Sequence, residues 1–395
     1  MSDFLLADDL SGGLEVGASF RCHGHPVVIP LRLTPLSPQS LTVLTTETRN
    51  LPSETAREIV TRLLKDQLSA GGRLLLKKID STLRGPLGAE LRAVNETLRP
   101  PRMILCPANP STGRTVRDGI LLVDGVPLSE TPFRHDPIWP ASDSRIAPLL
   151  DDSGLKCDHL SLDTVRRGGA QQQLAQDPSR SRIVVCDAET PADIDRIVTA
   201  ARAADPDTVF VGANGLAVSL AALLPAPGGP ISSPPIHVNT LLIVCGTRHP
   251  ASHRQIERLA NTGNATIVTI RPGKFTPAAA AAEIRQTFIQ KRIVALRFDP
   301  SELESSHTVQ SFISEIAGIL ASSRVPGAFF LTGGETAWSV CKSLEGGHLQ
   351  VRRPWETAIV EAELNCPNRT LAVFTKPGGY GDPDLLMRFV RSVMK

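Results

Sequence analysis

The sequence holds little that would stack on a nucleic-acid base. Aromatic residues make up 4% of its 395 residues, with a single tyrosine, which leaves few platforms for single strands. A surplus of one charge is missing too. The net charge is +2, far from the basic footprint of a nucleic-acid binder. No apolar run reaches the ~18 residues of a membrane span. The N-terminal residues lack the basic and apolar regions of a signal peptide. The seven cysteines form no C-x-x-C pair. That argues against a zinc knuckle or a disulfide framework, and for reduced, mostly buried thiols in a cytoplasmic protein. Two nucleotide signatures are also absent: there is no G-x-x-x-x-G-K-[ST] loop, and no G-x-G-x-x-G after the first apolar run.

A hydrophobic fraction of 41% suits a soluble globular chain. Single cores stop growing near roughly 250–300 residues, so the length predicts two domains. Short Val-, Ile- and Leu-rich runs recur at Phe4–Ala7, Val27–Leu31, Leu41–Thr45, Leu74–Ile79, Met103–Cys106, Ile183–Cys186 and Val209–Val211. They resume at Leu241–Cys245, Ile267–Ile270, Ile293–Phe298, Phe329–Leu331 and Leu371–Phe374. Helical patterns lie between them. Over Glu54–Leu68, the residues Ala56, Ile59, Val60, Leu63 and Leu64 share one helical face. Alternating strands and helices predict an α/β fold of two domains, each with a largely parallel sheet flanked by helices. The stretch Pro225–Pro235 carries five prolines and two glycines and reads as a linker. The expected domains are therefore 1–225 and 236–395, joined by 226–235. Residues Glu130–Gln176 show only weak patterning.

Polar clusters follow the apolar runs. Asp8-Asp9-Leu10-Ser11-Gly12-Gly13 comes straight after the first. In open α/β sheets, ligands bind beyond the carboxyl ends of strands. Adjacent carboxylates there could hold a hydroxyl, take its proton or reach a magnesium ion, or one could simply cap the next helix. Lys78-Ile79-Asp80-Ser81-Thr82-Leu83-Arg84-Gly85 suits a small hydroxylated acid, because arginine and lysine grip carboxylates. Thr46-Glu47-Thr48-Arg49 and the loop Pro107–Thr115, with Arg114, are weaker signals of the same kind.

In the second half, Gly246-Thr247-Arg248-His249 precedes a helix expected to start near His253, with Ser252 and Gln255 spaced as a capping box. A glycine loop running into a helix N-terminus favours an anion. Gly333-Gly334-Glu335-Thr336 and Lys376-Pro377-Gly378-Gly379-Tyr380-Gly381-Asp382 also follow apolar runs. Three such loops suggest a nucleotide pocket, although each alone is an ordinary turn.

Taken in order, these motifs and Gly212-Ala-Asn-Gly-Leu-Ala217 resemble the four-carbon acid sugar kinases over nearly the whole chain. The resemblance implies ATP-dependent phosphorylation of the terminal hydroxyl of a threonate-, erythronate- or oxo-tetronate-like acid. It also implies an acid-binding N-terminal domain, an ATP-binding C-terminal domain and a homodimer. Asp9, Asp8 and Arg84 would form the catalytic set, with Asp9 preferred as base. Arg49, Lys78, Asp80, Ser81 and Arg114 would hold the acid. Gly246, Thr247, His249, Gly333, Gly334, Glu335, Thr336, Gly378, Gly379, Gly381 and Asp382 would hold ATP, with Mg2+ bridging its phosphates and no protein metal ligands. The chain departs from the usual pattern at Ser11, Gly13, Glu15, Pro86, Arg248 and His249. Two alternatives fit the same residues: a metal-dependent phosphatase or hydrolase that uses the aspartate pair as ligands, and a non-catalytic sugar-acid sensor.

Overall fold

The computed structural model describes residues 2–32, 39–136, 138–175, 182–226, 233–271, 274–299, 305–321, 323, 325–356 and 358–394. The chain forms two compact units, one of Met1–Val27 with Thr34–Ile231 and one of Val28–Leu33 with Ser232–Lys395. Most of the expected linker, 227–232, lies outside the described residues. A short early segment thus belongs to the second unit, which a single linker does not anticipate.

The first unit contains β1 (Ser2–Ala7), α1 (Leu10–Cys22), β2 (Val27–Pro30, shared with the second unit), β3 (Leu41–Thr45), α2 (Ser53–Ser69), β4 (Gly72–Lys78), α3 (Leu87–Leu98) and β5 (Met103–Cys106). It continues with β6 (Arg114–Arg117), β7 (Ile120–Val123), β8 (Val126–Pro127), β9 (Lys156–Leu160), α4 (Leu162–Arg166) and α5 (Ala170–Ala175). It ends with β10 (Arg182–Cys186), α6 (Pro191–Ala204), β11 (Val209–Gly212) and α7 (Asn214–Leu223). Its sheet runs β3-β1-β4-β11-β5-β10-β9, and every pairing in it is parallel. Buried on both faces, such strands read as continuous apolar runs. The chain places β3 on one side of β1 and β4 on the other, so the connection reverses at β1, where α/β sheets open a crevice for ligand. A small antiparallel sheet, β6-β7-β8, precedes the weakly patterned region, which itself holds short 3-10 turns at Pro132–His135 and Ala147–Ser153 followed by β9, α4 and α5.

The second unit contains β12 (Leu241–Cys245), α8 (Pro250–Ala260), β13 (Thr266–Ile270), α9 (Pro277–Gln290), β14 (Ile293–Phe298) and α10 (Ser306–Ala321). It continues with β15 (Ala328–Thr332), α11 (Gly334–Ser343), β16 (His348–Glu356), β17 (Ile359–Cys366), β18 (Arg369–Lys376) and α12 (Leu385–Val393). Strands β13-β14-β12-β15-β18 are parallel. Antiparallel β17, β16 and β2 extend that sheet; of these the apolar runs announce β2 but not β16 or β17. Phe330 and Phe374 pack on Phe389 at 4.6 and 4.8 Å between ring centroids, which fastens α12 to the sheet.

A buried polar network ties the carboxyl ends of the first unit together. Lys77 on β4 pairs with Glu90 on α3 at 2.8 Å, the two side chains being 0% and 3% exposed. Thr48 donates to the other oxygen of Glu90. The hydroxyls of Thr46 and Thr48 lie 2.6 Å apart, and Thr46 donates to the carbonyl of Ala7 on β1 at 3.1 Å. Lys77→Met would leave Glu90 buried without a counter-ion, and urea unfolding is expected to show a loss of about 3–5 kcal/mol. Lys77→Met combined with Glu90→Leu should recover most of that loss.

Candidate active site

β1 ends at Ala7, so Asp8 and Asp9 emerge where the connection reverses. Both are buried. Asp9 is the N-cap of α1, its Oδ1 accepting from the Gly12 amide at 2.7 Å. Arg49, on the loop after β3, bridges the pair. Its Nε and Nη2 donate to Asp8 at 2.8 and 2.9 Å, and its Nη1 and Nη2 donate to Asp9 at 2.6 and 2.8 Å. Burial alone would raise the Asp8 carboxyl, but Arg49, Lys77 and Lys78 hold it below its ordinary value. Gly85 permits the fit. Its φ is +103°, and a Cβ there would stand 3.3 Å from the Arg49 carbonyl oxygen.

The turn after β4 is organised by Asp80, which accepts from Arg84 Nε at 2.8 Å and Nη2 at 2.9 Å and from the amide and hydroxyl of Thr82. Burial would raise Asp80; Arg84, Arg49 and Thr82 hold it well below the usual range. Among the described residues Arg84 Nη1 reaches only Asp136, at 3.4 Å. Lys78 is buried, donates to the Ile79 carbonyl at 2.8 Å and stands 3.8 Å from Glu15. Ser81 is half-buried at the head of the turn. Arg114 sits apart on β6, with its Nη1 on the Thr112 carbonyl and its Nε buried without a partner among the described residues. Its hydrogen bonds do not reach the aspartate pair.

Two assignments made from sequence therefore change. Arg49 is spent on the aspartates instead of being free for a substrate carboxylate. Asp80 is spent on its own turn. Near the aspartate pair, Lys78 and Arg84 Nη1 keep donors beyond their bonds to the Ile79 carbonyl and Asp136. One group was passed over. Glu47 has a φ of +53°, a strained value for a side chain of this kind. Its Oε1 is shut from solvent with no hydrogen-bond partner among the described residues. Burial and then Asp9 push its carboxyl well above the ordinary value. Its only sequence signal was its place beyond the third apolar run.

In the second unit the three glycine loops converge. A Cβ on Gly246 would strike the Thr336 hydroxyl, one on Gly378 would lie 2.6 Å from Thr247 Oγ1, and one on Gly379 would lie 3.0 Å from His249 Nε2. Gly333, at φ +96°, caps α11, which begins at Gly334. The expected capping box is not formed. α8 starts at Pro250 with His249 as cap, its Nδ1 accepting from the Ala251 amide. Ser252 and Gln255 turn instead to the loop after β18. Glu335 accepts from Ser306, and Asp382 is held by two bonds from Arg388 at 2.9 Å. Gly381 packs on Leu385. Among the described residues no three His, Cys, Asp or Glu side chains converge as metal ligands, and no helix is long and apolar enough to cross a membrane.

Fold and loops define a two-unit α/β protein with an ionic cluster at one sheet edge and glycine loops at another. The sequence profile of a sugar-binding N-terminal domain matches residues 4–220, and that of a nucleotide-binding C-terminal domain matches 242–386. The chain belongs to the four-carbon acid sugar kinase family. It is 27% identical to a D-threonate kinase of Salmonella typhimurium, over 98% of this chain and 97% of that one. It is 30% identical to a D-threonate kinase of Cupriavidus necator, over 96% and 95%. Relatives named D-erythronate kinase and 3-oxo-tetronate kinase match at 26% and 25% identity. A crystal structure from Salmonella typhimurium superposes with a TM-score of 0.78, covering 99% of both chains at 20% identity, a likeness of fold alone. A Bordetella bronchiseptica protein, 26% identical with a TM-score of 0.50 over 99% of this chain and 98% of its own, is a domain-swapped dimer with bound citrate.

Glu47 keeps its proton above its ordinary value of 4.5. The folded state therefore binds more protons than the unfolded one as pH rises through 4.5, and this group lowers stability across that window. Asp8 and Asp80 act oppositely: their contribution is present above 3.8 and lost as pH falls below it. Glu47→Gln is expected to stabilise the protein at pH 7 by on the order of 1 kcal/mol. Its advantage in thermal melts should shrink as pH falls toward 4.

Proposed function

We propose that the protein is an ATP-dependent kinase that phosphorylates the terminal hydroxyl of a four-carbon sugar acid. The observation that carries this proposal is the Arg49-clamped pair Asp8–Asp9, beside Lys78 and Arg84 Nη1, which keep donors beyond their bonds to the Ile79 carbonyl and Asp136. The carboxylate of the acid meets Lys78 and Arg84 Nη1. Asp9 orients the reacting hydroxyl, because its side chain is 10% exposed where that of Asp8 is 4%. The hydroxyl oxygen bonds to the γ-phosphorus, the bond from that phosphorus to the β–γ bridging oxygen breaks, ADP leaves, and the hydroxyl proton passes to Asp9. A weak base suffices when the proton moves late in a loose transition state. Positioning and charge supply most of the acceleration.

The glycine loops of the second unit take the nucleotide, through Gly246, Thr247, His249, Gly333, Gly334, Thr336, Gly378 and Gly379. Mg2+ would supply positive charge to neutralise the phosphates. Glu335 and Asp382 are engaged elsewhere, so the nucleotide carries its own ion. A metal-dependent hydrolase would need the aspartate pair open to a cation, and Arg49 occupies it. A homodimer is supported by the swapped dimer of the Bordetella protein. A cytoplasmic setting is supported by seven free cysteines, of which Cys106, Cys186, Cys245 and Cys341 are buried.

ADP release with Mg-ATP should be strong for one acid among D-threonate, D-erythronate, L-threonate and their oxo forms. Asp9→Asn should lower that turnover roughly 10²–10⁴-fold while ATP binding holds. Undiminished turnover in this variant would remove Asp9 from the mechanism, and absence of ATP binding by the wild type would remove the kinase.

A further inference from the structure

The loop after β18 has its carbonyl groups turned inward. Lys376 Nζ donates to the carbonyls of Pro377, Gly378 and Tyr380 at 3.0, 3.3 and 3.3 Å and to Ser252 Oγ at 2.9 Å. Ser252 in turn donates to the Gly378 carbonyl at 2.6 Å. Gln255 Nε2 stands 3.0 Å from each of the carbonyls of Tyr380, Gly381 and Asp382. In a trans peptide the C=O and the next N–H point in opposite directions. Inward carbonyls at Pro377, Gly378, Tyr380 and Gly381 therefore turn the amides of Gly378, Gly379, Gly381 and Asp382 outward. Among the described residues none of these four amides donates to a backbone carbonyl, although that of Asp382 faces its own carboxylate. Successive outward amides on glycines form a nest for an anion. Thr247 and His249, from the loop after β12, pack against Gly378 and Gly379.

Lys376 is 1% exposed, and its hydrogen-bond partners are all neutral oxygens. Among the described residues no carboxylate lies within ion-pair distance of it. An ammonium buried this way is costly unless a charge completes it, and burial pushes its pKa down to about 8. Gln255 shows that a neutral side chain suffices to hold carbonyls of the same loop. What lysine adds is charge, directly beneath the outward amides.

We infer that Lys376 is a positioning residue for the nucleotide phosphates: it holds the Pro377–Asp382 carbonyls inward so that the loop amides face the anion, and the anion completes its unpaired charge. This inference rests on the nucleotide site proposed above. It is tested by calorimetric binding of ADP and of adenosine to the wild type, K376M and K376Q. K376M keeps the length and apolar stem but loses the charge and donors, while K376Q loses the charge and some reach but keeps two donors. K376M is expected to bind ADP roughly 30-fold more weakly and adenosine within about 2-fold of the wild type, with an undiminished melting temperature. K376Q should show a smaller loss confined to ADP, and it serves alone if K376M does not fold. Equal ADP affinity in wild type and variants would overturn the inference, as would a parallel loss of ADP and adenosine. Failure of the wild type itself to bind ADP would instead overturn the kinase.

Discussion

One guanidinium bridging two carboxylates sets the geometry of the first unit's sheet edge. Asp8 and Asp9 are adjacent and buried. Two like charges ~4 Å apart near a protein surface repel by about 4 kcal/mol. Arg49 removes that penalty with a planar fork that reaches both residues. Its own loop is fixed in turn by Thr46 and Thr48, by the Lys77–Glu90 pair beneath them, and by the closeness of Gly85. The aspartate pair is thus defined jointly by the ends of β1, β3 and β4. Any change that moves one of these ends also moves the pair.

The same constraint divides the labour among the cations. Lys77 is consumed by Glu90, Arg49 by the aspartates, and two of the three nitrogens of Arg84 by Asp80. Lys78 and the remaining nitrogen of Arg84 are what an acid can meet. An anionic substrate would also face Glu15 and Glu47. Burial raises both carboxyls, which lessens their charge and so the repulsion. The glycine loops of the second unit work by another device, in which side chains underneath hold carbonyls away from the surface and leave amides and glycine Cα atoms exposed to a ligand.

Much of this was legible in the sequence, for identifiable reasons. Doubly covered parallel strands read as unbroken apolar runs, so Asp8–Asp9, the Asp80–Arg84 turn and the three glycine loops could be placed at strand ends. The partners of their side chains could not. That Arg49 would be spent on residues 40 and 41 positions away leaves no local trace, and it looked like a free anion binder. Ser252 and Gln255 had capping-box spacing, but their partners lie 125 and more residues on. Strands β16 and β17 alternate polar and apolar residues, and Pro354 interrupts the first, so neither stood out as an apolar run. The crossing of Val28–Leu33 into the second unit is a matter of topology that composition does not encode.

The most direct test of the central claim is a crystal structure with D-threonate and Mg-ADP bound. The account predicts that Arg49 still bridges Asp8 and Asp9, that the terminal hydroxyl lies within hydrogen-bond distance of Asp9, and that the acid's carboxylate rests on Lys78 and Arg84. A metal ion seated between the two aspartates with Arg49 displaced, or the acid bound away from the end of β1, would contradict it.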